Sequence, residues 1–212
     1  MPDATGYCDG SLPLLERVNR SPRPSSTSRA GVFRRAISAR CGWATWPVTV
    51  FFAKDDIIVS KTDLKGRITY ANQTFCQIAG YSEAELLGQP HSIIRHPDMP
   101  RAVFKLLWDT LAEGREVFAY VKNMARNGDY YWVFAHVTPS FDHNKTIVGY
   151  HSSRRVPDRK IVETAIMPVY AAVLQEERRH HNGQAALSAS FKLVVDVLQS
   201  KKLTYDEFIF SL

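Results

Sequence analysis

The ten residues HSIIRHPDMP, at positions 91–100, concentrate the most chemically informative side chains of the chain. They place a cation, an imidazole and a carboxylate at Arg95, His96 and Asp98, and two prolines keep the backbone out of a regular helix. Arginine can bind phosphate through paired hydrogen bonds, and Asp98 could orient either Arg95 or His96. The segment therefore favours a polar cofactor at this point. The alternative is a self-contained network from Arg95 to Asp98 that only holds the turn.

The flanking segments predict an antiparallel sheet. Asn127-Gly128 between two alternating segments is a strong hairpin signal. Glycine at position 66 likewise marks a short turn. The predicted strands cover residues 56–63, 68–71, 117–125, 130–141 and 147–156.

Short helices are predicted between the second and third strands. Asn72 caps a helix that Gly80 ends, and Ser82 with Glu85 forms a capping box for the next helix. Apolar residues recur at helical spacing over residues 101–114. This element order predicts an α+β fold, in which a five-stranded antiparallel sheet carries short helices on one face.

Composition divides the chain into three parts. Residues 1–46 contain seven arginines and three acids and are predicted to be a disordered basic leader. Residues 47–157 form the predicted sensor domain. Residues 158–212 add two amphipathic helices, the first interrupted by Pro168, and a hydrophobic tail that needs a partner. Since the net charge of +6 comes mainly from the leader, the pI does not predict nucleic-acid binding.

Several functional classes are disfavoured by the sequence. No apolar run approaches the roughly 18 residues needed to cross a bilayer, so no membrane span is expected. Cys8, Cys41 and Cys76 lack metal-like spacing, which indicates reduced thiols in a cytoplasmic protein. No catalytic constellation, P-loop or dinucleotide fingerprint is present, so we expect a protein that is not an enzyme.

A family resemblance rests on four sequence motifs within residues 50–156, which are ITYANQTF, GYSEAELLGQPH, RHPDMP and KNxxxNGDYYW. The element order resembles a PAS domain, and the words resemble the PAS domain of bacterial aerotaxis receptors, which binds FAD and reports cellular redox state. Those receptors also carry a membrane anchor, a HAMP domain and a methyl-accepting coiled coil. We expect instead a free-standing module that signals through another protein. The reactive cysteine of light-sensing LOV domains is absent from residues 91–100.

The resemblance implies a set of cofactor-binding residues. Asn123 shares strand parity with inward-facing neighbours and would meet the flavin ring, although an edge asparagine could equally satisfy backbone groups. Arg95, His96 and Asp98 would meet phosphate or ribose. Asn72 is a helix cap that would also lie close to the flavin.

The roles of two further residues have alternative interpretations. Trp108 is either a cofactor wall or part of the core. His151 stands where LOV domains carry a glutamine that senses flavin protonation, and a histidine there could titrate near neutral pH. The alternative for His151 is an exposed strand histidine.

The leading hypothesis is an FAD-binding redox or oxygen sensor. We expect a homodimer formed through the sheet, where Trp132 faces outward, and the flanking helices. The signal would pass to an unidentified chemotaxis-type protein or kinase. The alternatives are a cofactor-free interaction module and a haem-binding gas sensor that uses His91 or His96, although Pro97 and Pro100 disfavour a regular haem-ligating helix.

Overall fold

The computed structural model describes residues 49–212. Five antiparallel strands form one sheet in the order β2-β1-β5-β4-β3, which confirms the predicted α+β class. The strands are β1 (Ile58–Thr62), β2 (Ile68–Ala71), β3 (Val117–Met124), β4 (Tyr130–Phe141) and β5 (Ile147–Arg155). The predicted leader, residues 1–46, lies outside the described residues, as do Cys8 and Cys41.

The residues between β2 and β3 in the sequence form a helical layer that covers one face of the sheet. It consists of α1 (Gln73–Ala79), α2 (Glu83–Leu86), a 3₁₀ turn (His91–Ile94) and α3 (Arg101–Ala112). The expected capping box at Ser82 and Glu85 is present. Gly80 ends α1 in the left-handed conformation, with φ of 73°, which glycine adopts without steric cost.

Asn72 caps α1 and joins it to the sheet. Its Oδ1 accepts hydrogen bonds from the Phe75 and Val59 backbone N–H groups, each at 3.0 Å. Its Nδ2 donates to the Ile57 carbonyl at 2.8 Å. The predicted cap is confirmed, and all three bonds are to backbone groups, one in α1 and two in or next to β1.

The C-terminal residues form a helical layer at the β3 edge of the sheet. They fold as α4 (Arg159–Ile161), a π-helical turn (Val162–Ile166), α5 (Met167–Arg178), α6 (Gly183–Lys201) and α7 (Tyr205–Phe210). The chain stays helical through Pro168, contrary to the predicted interruption. The wider π turn precedes this proline, which has no N–H to donate to the preceding turn.

The hydrophobic tail finds its partners within the chain. Phe208 and Ile209 are buried in the core. The Tyr170 hydroxyl on α5 donates to the Tyr120 carbonyl of β3 at 2.7 Å. Trp132 is predicted to lie on the outer face of the sheet, where helices or a second subunit dock, and its ring centroid is 6.1 Å from that of Tyr170 on α5.

The N-terminus of α3 is capped from a distance. Its N-cap residue, Pro100, provides no side-chain hydrogen bond. Instead, Glu177 of α5 accepts from the Ala102 backbone N–H at 3.1 Å and from the buried Ser190 hydroxyl of α6 at 3.2 Å. One carboxylate therefore joins α3, α5 and α6.

Replacing Glu177 with alanine should lower the free energy of unfolding by about 1–2 kcal/mol, because α3 loses its cap and Ser190 loses an acceptor. Urea denaturation measures the change. The matched control is Glu163→Ala, which removes an exposed carboxylate paired with Arg159. Equal effects of the two substitutions would contradict the assigned role of Glu177.

Candidate functional site

A cavity of about 320 Å³ lies between the sheet and the helical layer. This volume is near the lower end of the roughly 300–1,000 Å³ common for ligand pockets. Its lining residues come from β1, β3, β4, β5, α3 and the segments near residues 65 and 90: Ser60, Thr62, Lys65, Gly66, Pro90, His91, Ser92, Arg95, Phe104, Leu107, Trp108, Val121, Asn123, Ala135, Val137, Tyr150, Ser152 and Arg154.

Helix α3 supplies an apolar wall of the cavity. Phe104, Leu107 and Trp108 line it at i, i+3 and i+4, the spacing of one helix face. Trp108 is 39% exposed and meets the Tyr150 ring edge to face, with centroids 5.3 Å apart. Since Lys65 is also exposed, these residues mark the open side of the cavity, which we call the mouth.

Arg95 and Asn123 meet at the β3 side of the cavity, where their backbones form an isolated antiparallel bridge. Asn123 is only 4% exposed, and its inward parity agrees with the sequence prediction. The Arg95 guanidinium lies 4.1 Å from the centroid of the Phe104 ring and donates to the Met99 carbonyl at 3.2 Å. Burial lowers the pKa of Arg95, while the Glu177 charge opposes this shift.

His96 and Asp98 are not among the residues that line the cavity. His96 Nδ1 accepts from the Asp98 backbone N–H at 3.0 Å, and Asp98 accepts from Lys122 Nζ at 3.0 Å. This hydrogen bond is the main reason that the pKa of Asp98 is lowered. Burial, followed by the Lys122 charge, lowers the pKa of His96. Asp98 thus pairs with Lys122 rather than with Arg95, because Lys122 alternates with Asn123 and faces the other side of β3.

Asn72 and His151 also lie outside the cavity lining. His151 pairs with Lys61 and Thr138 across the sheet, whereas its neighbours Tyr150 and Ser152 line the cavity. His151, which the sequence predicts to meet the cofactor, does not line the cavity, because alternation turns it to the opposite face of the sheet. Burial, followed by the Lys61 charge, lowers the pKa of His151.

A polar cluster of Arg154, Ser60 and His91 was missed by the sequence interpretation. Arg154 is 2% exposed, and its Nη2 donates to the Ser60 hydroxyl at 2.6 Å. Ser60 Oγ lies 3.1 Å from His91 Nε2. The guanidinium also lies 4.5 Å from the centroid of the Phe75 ring. The parity of Ser152 and Arg154 on β5 could have revealed this cluster.

The charge of Arg154 fixes the direction of its own hydrogen bond. Burial lowers the pKa of Arg154 to about 10, so it remains a cation at neutral pH and can only donate. Burial, followed by the Arg154 charge, lowers the pKa of His91 to about 3. Neutral His91 has one protonated ring nitrogen, so the direction of its hydrogen bond with Ser60 depends on its tautomer.

Residues 68–154 match the family model described as the PAS fold. With the five-stranded sheet and its helical layer, this match defines a PAS domain within the chain and confirms the predicted fold.

The chain is 45% identical to the aerotaxis receptor of Escherichia coli (strain K12) over 134 residues, which are 62% of this chain and 26% of that protein. The resemblance to aerotaxis receptors is thereby confirmed. The chain is 32% identical to the nitrogen fixation regulatory protein of Klebsiella pneumoniae over 99 residues, which are 47% of this chain and 20% of that protein. It thus spans about a quarter or less of either relative.

Among solved structures, the chain is similar to the dark structure of the blue-light photoreceptor Aureochrome1 LOV. The identity is 22%, the TM-score is 0.47, and the match covers 54% of this chain and 86% of that one.

Within residues 49–212, no helix is both long and apolar enough to span a membrane. The same residues contain no cluster of side chains suited to holding a metal ion.

The lowered pKa of His91 predicts a pH-dependent stability. An unfolded histidine has a pKa near 6.5, so below about pH 6.5 the unfolded state binds a proton that folded His91 does not. The contribution of neutral His91 to the free energy of unfolding is complete above that pH and declines as the pH falls towards 3. Relative to His91→Gln, the unmodified chain should lose up to about 1.4 kcal/mol more per pH unit between about pH 6 and 4.

Urea denaturation at a series of pH values measures this difference. His143→Gln, at an exposed loop histidine, is the control and should retain the original slope. If the His91→Gln variant also retains that slope, His91 is not held in its neutral form.

Proposed function

We propose that this chain is a flavin-binding sensory module that takes FAD and signals redox state or oxygen through a partner, without catalysing a reaction. The observation that carries the proposal is the cavity between the sheet and α3. It combines apolar and aromatic walls with the convergent polar groups of Asn123, Arg95 and Arg154. Binding sites for planar cofactors combine these features.

The residues of the cavity fit a flavin in chemistry and in size. Nε and Nη1 of Arg154 are buried and lack a hydrogen-bond acceptor among the described residues, so they suit carbonyl groups of a ring. A volume of about 320 Å³ suits a ring system but not a whole dinucleotide. The remainder of FAD would leave through the mouth, where Lys65 is exposed, and Arg95 at the β3 side of the cavity is a second lining cation for phosphate.

A bound flavin would supply reversible electron uptake. The chain would hold the ring between α3 and the sheet, and the Asn123 amide offers both a donor and an acceptor to it. Asn123 lies on the edge strand β3, where the Tyr120 carbonyl accepts from Tyr170 of α5. A shift of β3 would therefore be felt by α5 and would change the population of its arrangements.

The names of the relatives support a role in signalling, since one is an aerotaxis receptor and another a regulatory protein. We propose a chemotaxis-type protein or a kinase as the partner and a homodimer as the assembly. The sheet and the C-terminal helices would form the dimer contact. Phe210, 62% exposed beside Phe118, is an apolar group available to such a contact. The wide spacing of the cysteines supports a cytoplasmic setting.

Asn123→Ala and Arg95→Ala should each weaken FAD binding by about tenfold or more, because each removes a polar contact from a buried site. Flavin-fluorescence titration measures the affinity, and circular dichroism should show that the fold is retained. Asn144→Ala, in an exposed loop, is the control and should bind FAD as the unmodified chain does. Unchanged affinity in both cavity variants would rule out this assignment of the site.

A further inference from the structure

Arg154 is an uncompensated cation inside the domain. It is the largest of the fully buried side chains, at 2% exposure. No carboxylate forms an ion pair with it among residues 49–212. Its polar partner is the Ser60 hydroxyl, and its flat side rests on Phe75. Two of its nitrogens, Nε and Nη1, are buried without an acceptor in the described part of the chain.

Such an arrangement is unfavourable for the domain by itself. A buried charge normally has an opposite charge or a full set of hydrogen bonds, because these interactions offset the loss of hydration. Burial lowers the pKa of Arg154, yet only to about 10, so loss of a proton does not relieve the cost at neutral pH. The missing acceptors therefore point to a group that the cavity receives.

The place of Arg154 restricts what that group is. The guanidinium lines the same cavity as Lys65 and Trp108, but those two residues are exposed at the mouth. A phosphate chain that leaves through the mouth would meet Lys65 rather than the buried side chain of Arg154. A ring edge that carries carbonyl oxygens and ring nitrogens would reach Arg154 and accept from one of its unpaired N–H groups.

The neighbours of Arg154 add to this selectivity. Ser60 already accepts from Arg154 and shares a hydrogen bond with His91 Nε2, so its hydroxyl group is engaged within the cluster. Arg154 Nε and Nη1 have no acceptor among the described residues and can donate to a ligand. Such a site favours hydrogen-bond acceptors or a partial negative charge on the ligand.

We propose that Arg154 is a direct ligand-binding residue, which donates through one of its unpaired nitrogens, Nε or Nη1, to the acceptor-bearing edge of the ring held in the cavity. This assignment rests on the proposed flavin function, but it concerns a different residue set from Asn123 and Arg95. It also separates two arginine roles. Arg154 would recognise the ring, whereas Arg95 lines the β3 side of the cavity beside Asn123.

Fluorescence titration of Arg154→Met with FAD and with riboflavin, which lacks phosphate, tests the assignment. Both ligands should bind about 10- to 100-fold more weakly, and by similar factors, because the lost contact is to the ring. Weakening of FAD alone would assign Arg154 to phosphate and overturn the proposal. Unchanged binding of both ligands would also overturn it. Arg155→Met, at the exposed neighbouring position, is the control and should bind both ligands normally.

Thermal unfolding of ligand-free protein provides a second readout that needs no flavin. Replacement of an uncompensated buried charge with an apolar chain of similar length is often neutral or stabilising. The midpoint for Arg154→Met should therefore equal or exceed that of the unmodified chain. A fall of about 4 °C or more would show that Arg154 is a structural residue and would overturn the proposal.

The two readouts distinguish failure of this assignment from failure of the proposed function. If the unmodified chain binds neither FAD nor riboflavin, the flavin function is wrong. The midpoint of thermal unfolding of Arg154→Met then shows whether Arg154 lowers the stability of the ligand-free domain, as expected of a ligand-binding residue.

Discussion

The alternation of side chains along each strand is the constraint on which the site depends, because it decides which residues of the sheet can meet a ligand. Adjacent strands put Ser60 and Ser152 opposite each other, so both face the cavity with Arg154 two residues further along β5. His151 immediately precedes Ser152 in the sequence and faces the other side of the sheet. The same rule brings Asn123 to the cavity floor. The register of the strands therefore determines which side chains of the sheet line the cavity.

The site also depends on α3, because this helix contacts both the cavity and the C-terminal helices. One face carries Phe104 and Trp108 to the cavity, and its N-terminus is capped by Glu177 of α5. The edge strand β3 is likewise shared, since the Tyr120 carbonyl accepts from Tyr170. The C-terminal helices thus contact both walls of the cavity. Occupancy that moved either wall would alter the packing of these helices, which is the physical basis for a sensory role.

Local patterns predicted much of the fold and part of the site. The Asn72 cap, the Ser82 capping box and the inward parity of Asn123 depend on residues close in sequence, so they could be found without coordinates. The positions of His96 and Asp98 depend on how the loop crosses the β3 edge, which is a long-range property. Arginine is rarely buried, so sequence reasoning gave no weight to Arg154. The position of His151 was inferred from family resemblance, and the register of β5 turns this residue away from the cavity.

The most direct test of the central claim is the visible absorbance spectrum of the purified full chain after incubation with FAD and removal of free ligand, recorded before and after addition of dithionite. Our account predicts the bands of protein-bound oxidised flavin, which bleach on reduction. A featureless spectrum from folded protein would contradict the account and favour the cofactor-free interaction module. An intense Soret band in protein that takes up no FAD would contradict it in favour of a haem sensor.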